Sequence, residues 1–172
     1  MSQTFEVIVE IKSSADKFYD FFINHMSDLV NATTEIKSSA DKFYGFFRNN
    51  LSDLVNIFPA NFKSVQILEG EEGSVGCVEL WNYVIVGISV TAKVKFEAIN
   101  DGERSITYTV LDGDVLQLYK SFKATITVTD GSVKWFIEYE KALEIAPIPE
   151  AYAALAIAAS KVVDLYLLTS DN

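Results

Sequence analysis

Few residues in this chain combine a reactive side chain with the neighbours that catalysis needs. The only histidine, His25, belongs to a segment that occurs twice, and its counterpart in the second copy is Asn50. The only cysteine, Cys77, lies in an apolar segment with no histidine close to it in sequence. A thiol without a neighbouring base or cation stays protonated and is a weak nucleophile. We therefore expect no catalytic role for either residue, and we expect Cys77 to be a buried thiol.

The glycine-rich stretch 70–76 superficially resembles a phosphate-binding loop. It lies between two predicted strands, whereas a phosphate-binding loop needs a lysine and a following helix. We interpret it as a structural turn. The sequence predicts neither a metal ion nor a cofactor.

Charge and cysteine content limit the partners and the compartment. The net charge of −10 disfavours binding to nucleic acid, which requires clustered lysine and arginine. A single cysteine cannot form an internal disulfide, and the first residues lack the features of a signal peptide, so we expect a cytoplasmic protein. The longest apolar run, 151–159, is too short to span a bilayer, and we expect no membrane span.

The segment 149–168 predicts a long helix around which the rest of the chain is organised. Pro149 and Glu150 suit a first helical turn, and the interior is rich in alanine and leucine. Its apolar face is built from small side chains along the middle, such as Ala156 and Ala159. Such a face fills little of the space opposite it. A sheet packed against this helix would leave a cavity, where we expect the function to lie.

Most of the chain before this helix reads as short strands with alternating apolar and polar residues. Turns at 100–102 and 130–131 suit antiparallel hairpins. The pattern predicts a single α+β domain over 1–172, in which an antiparallel sheet grips the helix. The residues expected to face the cavity come from the strands and from one face of the helix: Leu80, Asn82, Val94, Phe96, Ile106, Tyr108, Val110, Phe122, Trp135, Ile137, Tyr139, Tyr152, Leu155, Ala156, Ala159 and Val163.

The chain contains a tandem duplication near its beginning. Residues 10–31 recur as 35–56 and differ at four of the 22 aligned positions. Each copy contains a predicted helix that follows a predicted strand. Two candidate first strands and two candidate first helices therefore compete for one place in the fold. The strand containing Phe5, Val7, Val9 and Ile11 carries more apolar area than its counterpart with Val30, Ala32, Thr34 and Ile36, so we predict that the first strand docks.

The helix that leads directly into the next strand is the second copy, so we expect that copy to dock. The surplus first helix would expose an apolar stripe of Phe18, Phe21, Phe22, Met26 and Leu29. Such a stripe either folds back over the domain or pairs with another chain, as in a homodimer or a segment swap. A variant without residues 10–34 should fold, bind the same ligands and be more monomeric.

The order of motifs along the chain resembles the plant major latex proteins of the Bet v I superfamily. The resemblance rests on the segments Ala40–Tyr44, Leu54–Pro59, the glycine-rich stretch, Leu80–Tyr83, Asp112–Asp114, Leu118–Phe122 and Glu138–Lys141, and it covers the chain apart from one repeat copy. It implies a helix-grip fold, with a curved seven-stranded antiparallel sheet around the C-terminal helix, two short helices and an internal hydrophobic cavity. The related pathogenesis-related proteins commonly carry a lysine next to the glycine-rich loop, where Gly76 stands in this chain. This difference argues against ribonuclease activity.

Two functions are compatible with such a cavity. The first, which we favour, is cytosolic binding of small hydrophobic plant metabolites or hormones in defence or stress. The second is a cofactor-independent isomerase or cyclase of alkaloid or terpenoid metabolism that uses the same cavity. General acid-base catalysis needs a titrating group in the pocket, and we expect no carboxylate or lysine there. The tyrosines among the inward residues could still orient a ligand or relay a proton.

Overall fold

The computed structural model describes residues 4–7 and 28–170, which form one sheet of eight strands packed against a long helix. All neighbouring strands are antiparallel, in the order β1-β2-β8-β7-β6-β5-β4-β3. The strands are β1 (Thr4–Val7), β2 (Asp28–Glu35), β3 (Phe62–Glu69), β4 (Val78–Ile85), β5 (Ile88–Asn100), β6 (Ser105–Gly113), β7 (Tyr119–Thr129) and β8 (Ser132–Lys141).

The helices of the described residues lie against this sheet. They are α1 (Ala40–Asn49), α2 (Leu54–Ile57) and α3 (Glu150–Thr169), with 3-10 turns at Leu51–Asp53 and Asp114–Gln117. Helix α3 contacts β2, β4 and β8, and also both short helices. This arrangement confirms the expected α+β helix-grip fold. Strands β2 to β8 supply its seven-stranded antiparallel sheet, and β1 adds an eighth strand at the edge.

Helix α3 is the core helix of the domain. Its residues Ala153, Ile157, Ser160 and Val163 recur at helical spacing and are fully buried. By length and composition alone α3 could cross a bilayer, and it is the one such helix within the described residues. Because the buried positions are covered by the sheet and the short helices, we assign the apolar composition of α3 to the core.

Helix α1 is the helix of the second repeat copy, and it docks as expected. It begins after Ser39, whose hydroxyl accepts a hydrogen bond from the Lys42 amide at 3.2 Å, and it buries Phe43, Phe46 and Phe47. The position of Arg48 is occupied in the first copy by an apolar residue, Ile23. The Arg48 guanidinium donates hydrogen bonds to the Gly73 carbonyl and, over 3.0 Å, to Asp101. These contacts favour the second copy at this place.

The prediction that the first strand docks is wrong. Strand β2, which contains Val30, Ala32 and Thr34 of the second candidate strand, pairs with β8 over its whole length. Among the described strands, β1 pairs with β2 alone. The buried residues of this segment are Val30, Ala32, Thr34 and Ile36, each at most 4% exposed. Leu29 lies in β2 and not in the predicted first helix, whose other members (Phe18, Phe21, Phe22 and Met26) lie outside the described residues.

Chain connectivity decided against the strand with more apolar area. Only residues 36–39 separate β2 from α1, and their backbone is tied to Asp164 of α3. The Asp164 carboxylate accepts hydrogen bonds from the amides of Lys37 (2.9 Å) and Ser38 (2.8 Å) and from the Ser38 hydroxyl (2.6 Å). A strand ending near Ile11 would reach α1 only through a long connection, and closing a longer loop costs more entropy.

Candidate functional site

A cavity of about 190 Å³ lies between the sheet, α3 and the two short helices. Eighteen residues line it, and almost all present carbon atoms to the interior: Phe47, Leu51, Leu54, Phe62, Trp81, Tyr83, Ala92, Val94, Tyr108, Val110, Phe122, Ala124, Trp135, Ile137, Tyr152, Leu155, Ala156 and Ala159. Such a surface gains free energy when an apolar molecule replaces water or empty space.

Small side chains create this cavity. Ala156 and Ala159 of α3 line it from one side, and Ala92 and Ala124 line it from the sheet. A leucine or phenylalanine at any of these positions would fill part of the volume. An apolar cavity of roughly 150 Å³ is known to hold a benzene ring. The present cavity therefore has room for one ring or a small fused ring system.

The structure places ten of the sixteen residues predicted to face the cavity in its wall. They come from β5 to β8 and from α3: Val94, Tyr108, Val110, Phe122, Trp135, Ile137, Tyr152, Leu155, Ala156 and Ala159. Alternation along these strands and helical spacing along α3 were sufficient to find them.

The face assigned to β4 is wrong. Leu80 and Asn82 lie on the other face, where the Asn82 amide donates a hydrogen bond to the Ser64 hydroxyl at 2.7 Å. Trp81 and Tyr83 line the cavity instead. They share their face with Glu79, which is fully buried. A charged residue normally marks the solvent face of a strand, and here it marks the inner one.

The other four predicted residues are buried, but they lie outside the cavity wall. Phe96 packs its ring 5.1 Å from that of Tyr108, and Tyr139 packs 5.5 Å from Tyr119. Ile106 and Val163 are fully buried. Strand parity distinguishes inside from outside, but it does not tell which inward residues pack against one another and which border empty space.

Several lining residues were missed in the sequence because they come from outside the central strands. Phe47, Leu51 and Leu54 belong to α1 and the residues that follow it, and Phe62 begins β3. The aromatic residues of the repeat indicate that α1 has an apolar face. The position of α1 over the cavity, however, depends on the tertiary packing.

Two tyrosines that line the cavity form a hydrogen-bonded pair. The Tyr83 and Tyr152 hydroxyl oxygens lie 2.7 Å apart. Burial raises the pKa of both hydroxyls above the ordinary value, so both are protonated at neutral pH. One hydroxyl donates to the other, so one of the two hydroxyl hydrogens is used within the pair.

A buried carboxyl group, Glu79, lies on the same face of β4 as Trp81 and Tyr83 but is not one of the residues that line the cavity. Its Oε1 accepts a hydrogen bond from the Trp81 indole at 3.0 Å, whereas Oε2 is buried and has no hydrogen-bond partner among the described residues. Burial raises the pKa of this carboxyl group, and the nearby Glu72 adds to the effect. The hydroxyl of Tyr108 is also buried and has no hydrogen-bond partner in the part of the chain that the structure describes, and burial raises its pKa well above the usual value.

Cys77 and the glycine-rich stretch are not among the residues that line the cavity. The thiol is fully buried, and burial raises its pKa to about 11, so it is protonated at neutral pH. The stretch 70–76 joins β3 to β4 and is tied to the short helices, because the Glu72 carboxylate accepts from the Ser52 amide at 2.8 Å. It is thus a connecting turn. His25 lies outside the described residues.

The cavity, the gripped helix and the strand order have counterparts among known proteins. The model of the pathogenesis-related protein Bet v 1 family matches residues 25–170. The chain belongs to this family. The match begins just before β2, which agrees with β2 rather than β1 as the first strand of the shared fold.

Relatives with similar sequences include MLP-like proteins and major latex proteins of plants. MLP-like protein 34 of Arabidopsis thaliana is 36% identical over 99% of this chain and 48% of its own length. MLP-like protein 28 of the same plant is 38% identical over 97% of this chain and 44% of its own. The chain thus spans about half the length of these two relatives. Major latex protein 146 of Papaver somniferum is 34% identical over 94% of this chain and 89% of its own length.

Solved structures share the same architecture. Ginseng major latex-like protein 151 from Panax ginseng has a TM-score of 0.79 and 31% identity, covering 82% of this chain and 97% of that one. Norcoclaurine synthase of Thalictrum flavum has a TM-score of 0.65 at 20% identity, covering 96% of this chain and 98% of that one. At that identity the second likeness shows the fold alone.

Proposed function

We propose that the protein binds small hydrophobic molecules, such as plant metabolites or hormones, in the cavity under α3. The observation that carries the proposal is the cavity itself, whose wall is apolar and includes four alanines. Filling such a cavity with a core side chain would normally stabilise a protein, since buried voids lose dispersion contacts. An unfilled apolar cavity is therefore consistent with a ligand as its occupant.

The proposal is tested with an uncharged ring-sized probe and variants that fill the cavity. Indane, a two-ring hydrocarbon, should bind the wild type, as measured by titration calorimetry or by displacement of a fluorescent apolar dye. Ala156→Phe should weaken indane binding at least tenfold because the new ring occupies the cavity. Ala154→Phe is the matched control, since Ala154 lies on the exposed face of the same helix.

Ala159→Phe provides an independent test, because Ala159 lines the cavity one turn further along α3. Circular dichroism and a cooperative urea transition would show that each variant is folded. The proposal is wrong if the wild type binds no apolar probe, or if both filling variants bind indane as tightly as Ala154→Phe.

Native mass spectrometry of protein purified from its source separates binding from catalysis. A binding protein releases its natural ligand unchanged. The isomerase or cyclase alternative predicts that an added ligand is recovered as product.

The proposed setting is the cytoplasm, in a defence or stress response. A single cysteine and an acidic surface suit that compartment. Imaging of a fluorescent fusion and measurement of transcript levels after wounding or infection would test both parts of this proposal.

A further inference from the structure

Strand β3 forms one edge of the sheet. The strand order ends at β3, and among the described strands it pairs with β4 alone. In an antiparallel pair, alternate residues direct their backbone N–H and C=O groups toward the neighbouring strand, so the remaining residues of β3 direct theirs away from β4. An edge of this kind is a template for pairing with a further strand.

The side chains of β3 are suited to such pairing. Six of its eight residues are exposed, and these include two large apolar side chains, Ile67 (43% exposed) and Leu68 (39% exposed). Natural edge strands are commonly protected by charged residues or proline. The central residues 64–68 contain neither.

The two charged residues of β3 lie near its opposite ends. Lys63 is the second residue, and Glu69 is the last. The Lys63 ammonium group donates a hydrogen bond to the Pro59 carbonyl at 2.8 Å, which leaves two of its N–H donors for another acceptor. At about 3.4 Å per residue, Lys63 and Glu69 are roughly 20 Å apart along the strand, too far to contact each other within one chain.

These charges complement each other when two β3 strands pair antiparallel about a twofold axis at Gln66. In this register Gln66 lies opposite its own copy, and Lys63 lies opposite Glu69 of the second copy. Val65 lies opposite Ile67, and the symmetry repeats each contact. Centring the pair at Ile67 would instead place Glu69 opposite Val65, and centring it at Val65 would place Lys63 opposite Ile67. Either shift would separate the opposite charges.

We propose that two copies of the chain associate through their β3 edges in this register, so that the two sheets become continuous. The pairing of β3 with β4 is irregular at both ends, and the regular part covers only residues 64–67. The paired region is therefore short, and the dimer should be reversible. This interface contains no residue of the apolar stripe predicted for the first repeat copy, and it does not depend on the proposed ligand.

The test reverses and then exchanges the two charges. Lys63→Glu and Glu69→Lys each place like charges opposite one another at both ends of the paired strands. Each should raise the dissociation constant of the dimer about tenfold, as measured by sedimentation equilibrium in about 0.15 M salt. The combined variant Lys63→Glu/Glu69→Lys restores both opposite-charge pairs and should return the dissociation constant to within about threefold of the wild-type value.

The control is Lys134→Glu, which makes the same change in net charge at an exposed position of β8, within the sheet. It should leave the dissociation constant unchanged. The two single variants at β3 change the net charge in opposite directions, so an effect of net charge cannot weaken both. Circular dichroism and a cooperative urea transition would show that each variant is folded.

A second readout reports the register. A nitroxide spin label on Gln66→Cys, in a Cys77→Ala background, should show dipolar broadening in the dimer because the two labels meet at the twofold axis. The same label on Lys134→Cys should show none.

The outcomes decide the inference without reference to the ligand. It is wrong if the wild type stays monomeric at its highest soluble concentration, or if the combined variant dissociates as readily as the single variants. It is also wrong if Lys63→Glu and Glu69→Lys dimerise as tightly as Lys134→Glu, because the dimer then uses another surface. None of these positions lines the cavity, so indane binding in the same variants tests the proposed function separately.

Discussion

Glu79 is a buried carboxyl group that should make the stability of the protein depend on pH. Its side chain is fully buried, and burial holds its pKa above the ordinary value of about 4.3. Below that ordinary value the carboxyl group is protonated in both the folded and the unfolded chain. As the pH rises, the unfolded chain releases the proton first, so the free energy of unfolding decreases until the folded pKa is passed.

The comparison of wild type with Glu79→Gln measures this effect. Glutamine does not titrate, and its amide keeps an acceptor for the Trp81 indole. We expect the wild type to lose stability relative to Glu79→Gln between pH 4.5 and pH 8, by at most about 1.4 kcal/mol per pH unit. Urea denaturation at both pH values measures it. All groups other than Glu79 are the same in the two proteins, so their contributions to the difference largely cancel. A stability difference that does not change with pH would show that Glu79 is not held neutral.

At the scale of elements, the connection between β2 and α1 decides which strand enters the sheet. Asp164 of α3 binds the backbone of this connection at Lys37 and Ser38 and also binds the Ser38 hydroxyl. One buried carboxylate thereby holds a strand, a short helix and the core helix together.

Asp164→Asn should weaken this junction. An amide keeps one acceptor oxygen but points an N–H group at a backbone donor, so we expect the free energy of unfolding to fall by about 2–3 kcal/mol. Urea denaturation measures the loss. Asp130→Asn, at an exposed turn, is the control and should change stability by less than about 0.5 kcal/mol. Equal stability of the two variants would mean that the connection is held by packing alone.

For the whole molecule, one repeat copy can be removed by either of two deletions. The structure predicts that the two variants differ in stability. Removing residues 1–24 leaves β2 to α3 intact and keeps the part matched by the family model. Removing residues 10–34 places Phe5, Val7 and Val9 in the sequence positions of Val30, Ala32 and Thr34, which are buried. Larger side chains at packed positions cost about 1–3 kcal/mol.

We predict that both deletion variants fold and bind indane, and that both are more monomeric than the full chain. The variant without residues 1–24 should be the more stable of the two. Urea denaturation and light scattering after size-exclusion chromatography measure these properties. An insoluble variant without residues 1–24 would show that this segment is integral to the domain.

Much of the fold follows from local patterns. The alternation along β5 to β8 places Val94, Tyr108 and Trp135 on the inner face, and the spacing along α3 places Ala156 and Ala159 there. These segments carry their polar residues on one side, so one register satisfies both burial and solvation. On β4 the pattern was ambiguous, because Leu80 and Trp81 are both bulky and the carboxyl group of Glu79 lies on the inner face.

The sequence by itself determined the helix grip, because amphipathic strands and an alanine-rich helix can bury their apolar faces in few other ways. Only the tertiary structure decided between the repeat copies. The same four residues, Asp-Leu-Val-Asn, form strand β2 at 28–31 but helical structure at 53–56. Local propensity is identical in the two copies. The difference comes from the neighbours. Residues 28–31 pair with β8, whereas the helical segment at 53–56 packs against α3 and β3, and each segment pairs its backbone groups accordingly, between strands or within helical turns.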